Sequence, residues 1–259
     1  MKKVGILLVL LSGAAVLALT ACGSSAGTAA ASADASAAVS ASGSAPGSAS
    51  APEGGVQPLA VLRVEQGKVL NGEIAALVRD GVLHSVQEDG ENRALAAPAQ
   101  TAYCFSAAGT ARTVRGTCAG CTVRYEGSVG CNAAYAEFSL EGTSLPDGVY
   151  VGLGGDVLPL PAGWDGGGGS GWSADLNGDG RAETCAFTHA GDDWTMLLDG
   201  VEKANFPLDG IYTAAYAAVP MDADGDGRYE VVLALMGHNT SVWVWSAAGE
   251  LLATYYTGD

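Results

Sequence analysis

The chain has 259 residues, with 28 acidic against 12 basic side chains and a formal charge of −16. A surface this negative repels phosphate, which excludes nucleic acid as a partner and anionic lipid as a docking face, and it favours cations. Downstream of Ala21 no apolar run approaches the roughly 20 residues that cross a bilayer.

Lys2 and Lys3 precede an uncharged apolar stretch, Gly5 to Leu19, which closes on the small residues Thr20 and Ala21. Residues 1–21 therefore read as an export signal rather than a spanning helix. Leu19-Thr20-Ala21-Cys22 resembles the lipobox of bacterial lipoproteins. The resemblance implies that the Cys22 thiol takes the lipid and becomes the mature N-terminus. The chain is then tethered to the extracytoplasmic face of the cell membrane. Residues 22–55 are nearly all Ala, Ser and Gly, with too little large apolar surface to offset ordering entropy, so a disordered tether is expected.

Residues 56–160 read as a hairpin-rich β domain of unassigned role. Leu59 to Val64 alternates. Ile74 to Val78 and Val82 to Val86 flank Asp80-Gly81, a hairpin signal. Thr122 to Tyr125, Ala133 to Leu140 and Val149 to Leu153 also read as strands. Four readings of Cys104, Cys118, Cys121, Cys131 and Cys185 stay open: one or two disulfides with the odd thiol free, a zinc site of Cys104, Cys118, Cys121 and Cys131, a redox dithiol at Cys118-Ala119-Gly120-Cys121, or unpaired structural thiols. A glycine-rich link, 161–171, follows.

Residues 172–259 carry the strongest chemical signal. Asp175-Leu176-Asn177-Gly178-Asp179-Gly180-Arg181-Ala182-Glu183 and Asp222-Ala223-Asp224-Gly225-Asp226-Gly227-Arg228-Tyr229-Glu230 share one pattern. Oxygen-bearing side chains at positions one, three and five, with glycines between them, can converge on one point. Position seven, Arg181 or Arg228, adds a backbone carbonyl, and position nine, Glu183 or Glu230, a carboxylate. Ca²⁺ takes six to eight oxygens at about 2.3–2.6 Å in flexible geometry, which suits this set. Without a cation, carboxylates about 4 Å apart repel by about 4 kcal/mol at an effective dielectric near 20. An EF-hand needs a ligand at position twelve and a following helix; here Ala186 and Leu233 stand at that position. The runs that follow, Thr184 to Thr188 and Val231 to Leu235, read as strands. Each leads into a hairpin, turning at Asp199-Gly200 and near Ala248-Gly249.

These two loops, each leading into a strand, resemble the calcium loops of FG-GAP/VCBS-type repeats of integrin-like β-propellers, over roughly residues 171–259. The resemblance implies Ca²⁺ held by Asp175, Asn177, Asp179 and Glu183, and by Asp222, Asp224, Asp226 and Glu230: about two structural ions. The expected fold is all-β, with two propeller-like blades. Two repeats do not close a ring.

The three histidines are scattered, and no nucleophile–base motif is present, so a non-enzymatic surface binding or adhesion protein is expected. Its ligand would be a protein or a glycan. A carbohydrate-binding module or an accessory to a cell-wall-active enzyme is the alternative, in which Trp243 and Trp245, on one face of a strand, would stack on sugar rings.

Overall fold

A computed structural model describes residues 56–87, 101–107, 113–126, 131–142, 145–164, 166–167 and 171–257. The leader, Cys22 and the tether lie outside the described residues. The described residues belong to a single compact unit.

Seven strands build the first half: β1 (Gln57–Glu65), β2 (Lys68–Arg79), β3 (Val82–Ser85), β4 (Thr101–Ala107), β5 (Thr113–Glu126), β6 (Cys131–Leu140) and β7 (Gly148–Gly154). Their order is β1-β7-β4-β5-β6-β2-β3, and β1 also pairs with β2. The sheet thus closes on itself as an antiparallel six-stranded barrel, with β3 extending from β2. Tight turns at Gln66-Gly67 and Asp80-Gly81 place both residues at positive φ, the twist that matches paired strands. Register shifts between Leu59 and Ala60, Arg63 and Val64, and Cys118 and Gly120 supply the bends that closure requires.

On β5, Thr113, Arg115 and Thr117 are exposed, so Val114, Gly116 and Cys118 face the lumen. The lumen is filled by Tyr103, Phe105 and Phe138, whose ring centroids lie 5.0–5.7 Å apart. Room for these rings comes from missing side chains: a Cβ on Gly152 would sit 2.4 Å from Phe105, and one on Gly72 would sit 2.4 Å from Phe138.

The second half forms two four-stranded meanders. One contains β8 (Gly171–Ala174), β9 (Glu183–Ala190), β10 (Asp193–Leu198) and β11 (Val201–Pro207). The other contains β12 (Ala215–Met221), β13 (Glu230–Met236), β14 (Thr240–Trp245) and β15 (Leu251–Thr257). Each acidic loop joins the first and second strands of its sheet, a four-stranded blade. Two blades are present among the described residues, and they stack rather than form a ring.

The β12–β15 sheet is the middle layer. One face packs Ala217, Val219, Val232, Val244 and Tyr255 onto the outer wall of the barrel. The other packs Ala218, Val231, Leu233, Leu235 and Trp245 onto Trp172, Cys185, Met196 and Phe206 of the first blade. Burial on both faces accounts for β13 being apolar almost throughout, with all seven residues buried. Pro220 sits inside β12, which is tolerated because β12 is an edge strand. The described part of the glycine-rich link is also packed: Trp164 meets Trp172 edge-on at 5.4 Å.

One polar cluster lies within the barrel–blade contact. Glu73 of β2 is 1% exposed. Its carboxylate accepts from Thr240 Oγ1 at 2.6 Å, from the Tyr255 hydroxyl at 2.5 Å and from Thr257 Oγ1 at 3.4 Å. The Tyr255 oxygen in turn accepts from the Ala134 N–H at 3.0 Å. A buried carboxyl group needs such partners, because leaving one unmade costs its full desolvation.

Candidate metal centre

The two loops fold alike, residue for residue. In each, the first Asp accepts two backbone N–H groups. Asp175 takes Gly178 at 2.7 Å and Gly180 at 2.9 Å; Asp222 takes Gly225 at 2.8 Å and Gly227 at 3.1 Å. Position three accepts from position five, as Asp179 N to Asn177 and Asp226 N to Asp224. Position five accepts from the Arg181 or Arg228 N–H. The glycines at positions four and six take positive φ, +75° and +83° at Gly178 and Gly180, which an L side chain rarely adopts.

The position-nine glutamates are buried beneath the loops, with Glu183 8% and Glu230 3% exposed. Their carboxylates hold the loop backbone from below, Glu183 through Leu176 N at 2.7 Å and Glu230 through Ala223 N at 2.8 Å. The loops differ at position three. Asn177 donates Nδ2–H to Glu183 at 2.8 Å; Asp224 has no N–H to give.

The second loop is consequently a concentration of charge. One oxygen from each of Asp222, Asp224 and Asp226 lies within 4.8 Å of the others, and among the described residues none of the three pairs with a Lys or Arg. Desolvation, reinforced by neighbouring carboxylates, holds the Asp222 and Asp224 acids above their usual range. Desolvation, with Asp224 and Asp222 adding to it, pushes Glu230 up to about 8. In metal-free form this loop resists ionisation, the property a bound cation reverses.

Two contacts fix the centre in the fold, and the motif gave no sign of either. Tyr229 N donates to Leu176 O at 2.8 Å, stitching one loop to the other, and Asp222 N donates to Pro159 O at 3.0 Å. The Tyr229 phenol is raised by burial and by Asp222 and Asp175 beside it.

The other candidates fall apart in space. Cys104, Cys118, Cys121 and Cys185 are free thiols, so no disulfide joins any two of them. Cys104 pairs with the exposed Arg115 and so faces out of the barrel, opposite to Cys118. Cys104 and Cys118, on opposite sides of the barrel wall, therefore cannot share one zinc ion, and Cys185 lies apart in the inter-blade core. The Cys131 side chain lies outside the described residues. Trp245 is 3% exposed and Trp243 is half-buried against the same core; stacked on each other at 6.4 Å, they are blade packing rather than an open platform. Of the histidines, His84 lies on β3, His189 stacks on Trp194 and His238 lies edge-on to Tyr212.

Compared with protein-family models, curated proteins and solved structures, the chain matches nothing in any of the three.

Proposed function

We propose that this is a membrane-anchored extracytoplasmic lipoprotein, lipidated at Cys22, whose folded body is a non-enzymatic surface binding or adhesion protein clamped by structural Ca²⁺. The observation that supports it is the uncompensated group Asp222, Asp224 and Asp226, repeated in shape by Asp175, Asn177 and Asp179. In each loop the three side chains and the Arg181 or Arg228 carbonyl would face the ion, with Glu183 or Glu230 bracing the loop from the base. A loop between the first two strands of a four-stranded blade supports the likeness to FG-GAP/VCBS-type repeats. The second loop, with Asp224 where the first has Asn177, carries one more charge and should bind more tightly, within the weak range of extracellular sites, roughly 10⁻⁴ to 10⁻³ M. The ligand of the body is a protein or a glycan.

Isothermal titration of residues 46–259 with CaCl₂ is expected to give about two ions per chain, with the tighter of the two steps abolished by Asp224→Ala. Heats that match dilution into buffer would remove calcium from this account.

A further inference from the structure

The register shift on β5 does more than bend the barrel. Cys118 pairs with Phe138 and Cys121 with Ala136, while Gly120 pairs with Glu137, leaving Ala119 as the extra residue. Without that insertion, residues three apart would face opposite sides of the wall. With it, Cys118 and Cys121 both face the lumen. Their partners are two apart on β6, so the two cysteines are separated by about 6.7 Å along the strand, from a rise of 3.3–3.4 Å per residue. That is the upper end of the 4.4–6.8 Å that a disulfide spans between Cα atoms. The remaining movement falls at the bulge, where Gly120 has open space around it. Cys118 Sγ already leans that way, donating to Gly120 O at 3.3 Å.

Two further observations point to the same place. The Tyr103 side chain is 1% exposed and its hydroxyl has no hydrogen-bond partner among the described residues; burial, and then Cys118 and Cys121 beside it, hold the phenol above its usual range. A buried phenol without a partner is costly, and its free O–H is a donor that a thiolate sulfur formed during exchange would accept. Cys118 is fully buried, whereas Cys121 is partly open, so one thiol is reachable and the other waits behind it.

We propose that Cys118 and Cys121 are a dithiol that closes to an intrastrand disulfide by exchange with an external disulfide. The Cys121 thiolate attacks one sulfur of the incoming disulfide, releasing one thiol and leaving a mixed disulfide. Cys118 gives up its proton and attacks Cys121 Sγ, releasing the second thiol. Two protein S–H bonds and one external S–S bond become one protein S–S bond and two external thiols, so the external disulfide is the oxidant. The Tyr103 O–H donates to the sulfur that carries negative charge during exchange. Burial holds both thiols above their usual range, so the dry lumen suits a neutral bridge better than a metal dithiolate.

The test treats the intact protein with oxidised glutathione, blocks remaining thiols under denaturing conditions and maps tryptic peptides. Cleavage at Arg115 and Arg124 releases 116–124, which holds both cysteines. This peptide is expected to lose two hydrogens and to resist alkylation until reduced. Cys118→Ser should instead trap glutathione on Cys121. Tyr103→Phe should slow closure several-fold at unchanged final yield, whereas an unchanged rate would remove Tyr103 from the site. Full alkylation of both cysteines in the treated wild-type protein would overturn the proposal. So would glutathione persisting on its Cys121, or a bridge to Cys104 or Cys131.

Discussion

Moving the protein from calcium at about a hundredfold excess over both dissociation constants into a chelator is expected to lower Tm by roughly 10–20 °C. At a hundredfold excess over Kd a ligand stabilises by about 2.7 kcal/mol per site, so two sites give about 5 kcal/mol. In a body of this size each 1 kcal/mol moves Tm by about 2–4 °C. Replacing Asp222 and Asp226 by Ala removes one site and should take away about half of that difference in calcium. In chelator the same substitutions should be neutral or slightly stabilising, because they relieve unpaired charge around Glu230. The chelated wild type should also respond to pH. Glu230 has a folded pKa near 8, raised above its ordinary 4.5, so the folded chain holds a proton that the unfolded chain releases between those values. Its stabilising contribution is complete below about pH 4.5 and is lost as pH rises through about 8; Asp222 and Asp224 are shifted in the same sense. With calcium bound, that decline should vanish. Scanning calorimetry at pH 5 and pH 8, with calcium and with EDTA, checks both parts. Equal losses in the two media would make the loops ordinary turns.

The second large effect should come from Tyr255. Tyr255→Phe is expected to cost about 3–5 kcal/mol. It leaves the buried Glu73 carboxylate short of one donor and the Ala134 N–H without its acceptor, each omission worth about 1–3 kcal/mol. Burial and Glu73 hold the phenol far above its usual range, so it remains a donor at any working pH. Because β15 carries Tyr255 and Thr257 while β2 carries Glu73, the loss should appear first as exchange of β15 amides. Urea denaturation of the variant checks the magnitude; a change under about 1 kcal/mol would mean that the cluster is not what joins barrel to blade.

How much of this was legible depended on the range of each interaction. Asp80-Gly81 and Asp199-Gly200 announce their hairpins, because turn geometry is decided by two residues. Val231 to Leu235 announces a buried strand, and the two acidic loops announce themselves, since their side-chain hydrogen bonds close within nine residues. Barrel closure was not legible: it rests on β1 meeting β7 and on Glu73 meeting Tyr135, and nothing local encodes those pairings. β12 was missed because Ala-Tyr-Ala-Ala-Val-Pro-Met is small and contains Pro220, a poor strand sequence rescued by its edge position. Cys118 and Cys121 looked like an undistinguished CxxC until the bulge at Ala119 set them side by side. Glu73 gave no signal, since Thr240, Tyr255 and Thr257, whose hydroxyls donate to it, lie more than 160 residues away.

The most direct measurement is anomalous diffraction from crystals grown in calcium. It should show two peaks, each about 2.3–2.6 Å from several oxygens: one among Asp175, Asn177 and Asp179, the other among Asp222, Asp224 and Asp226. A well-ordered map in which both loops keep their shape around nothing heavier than water would contradict the account.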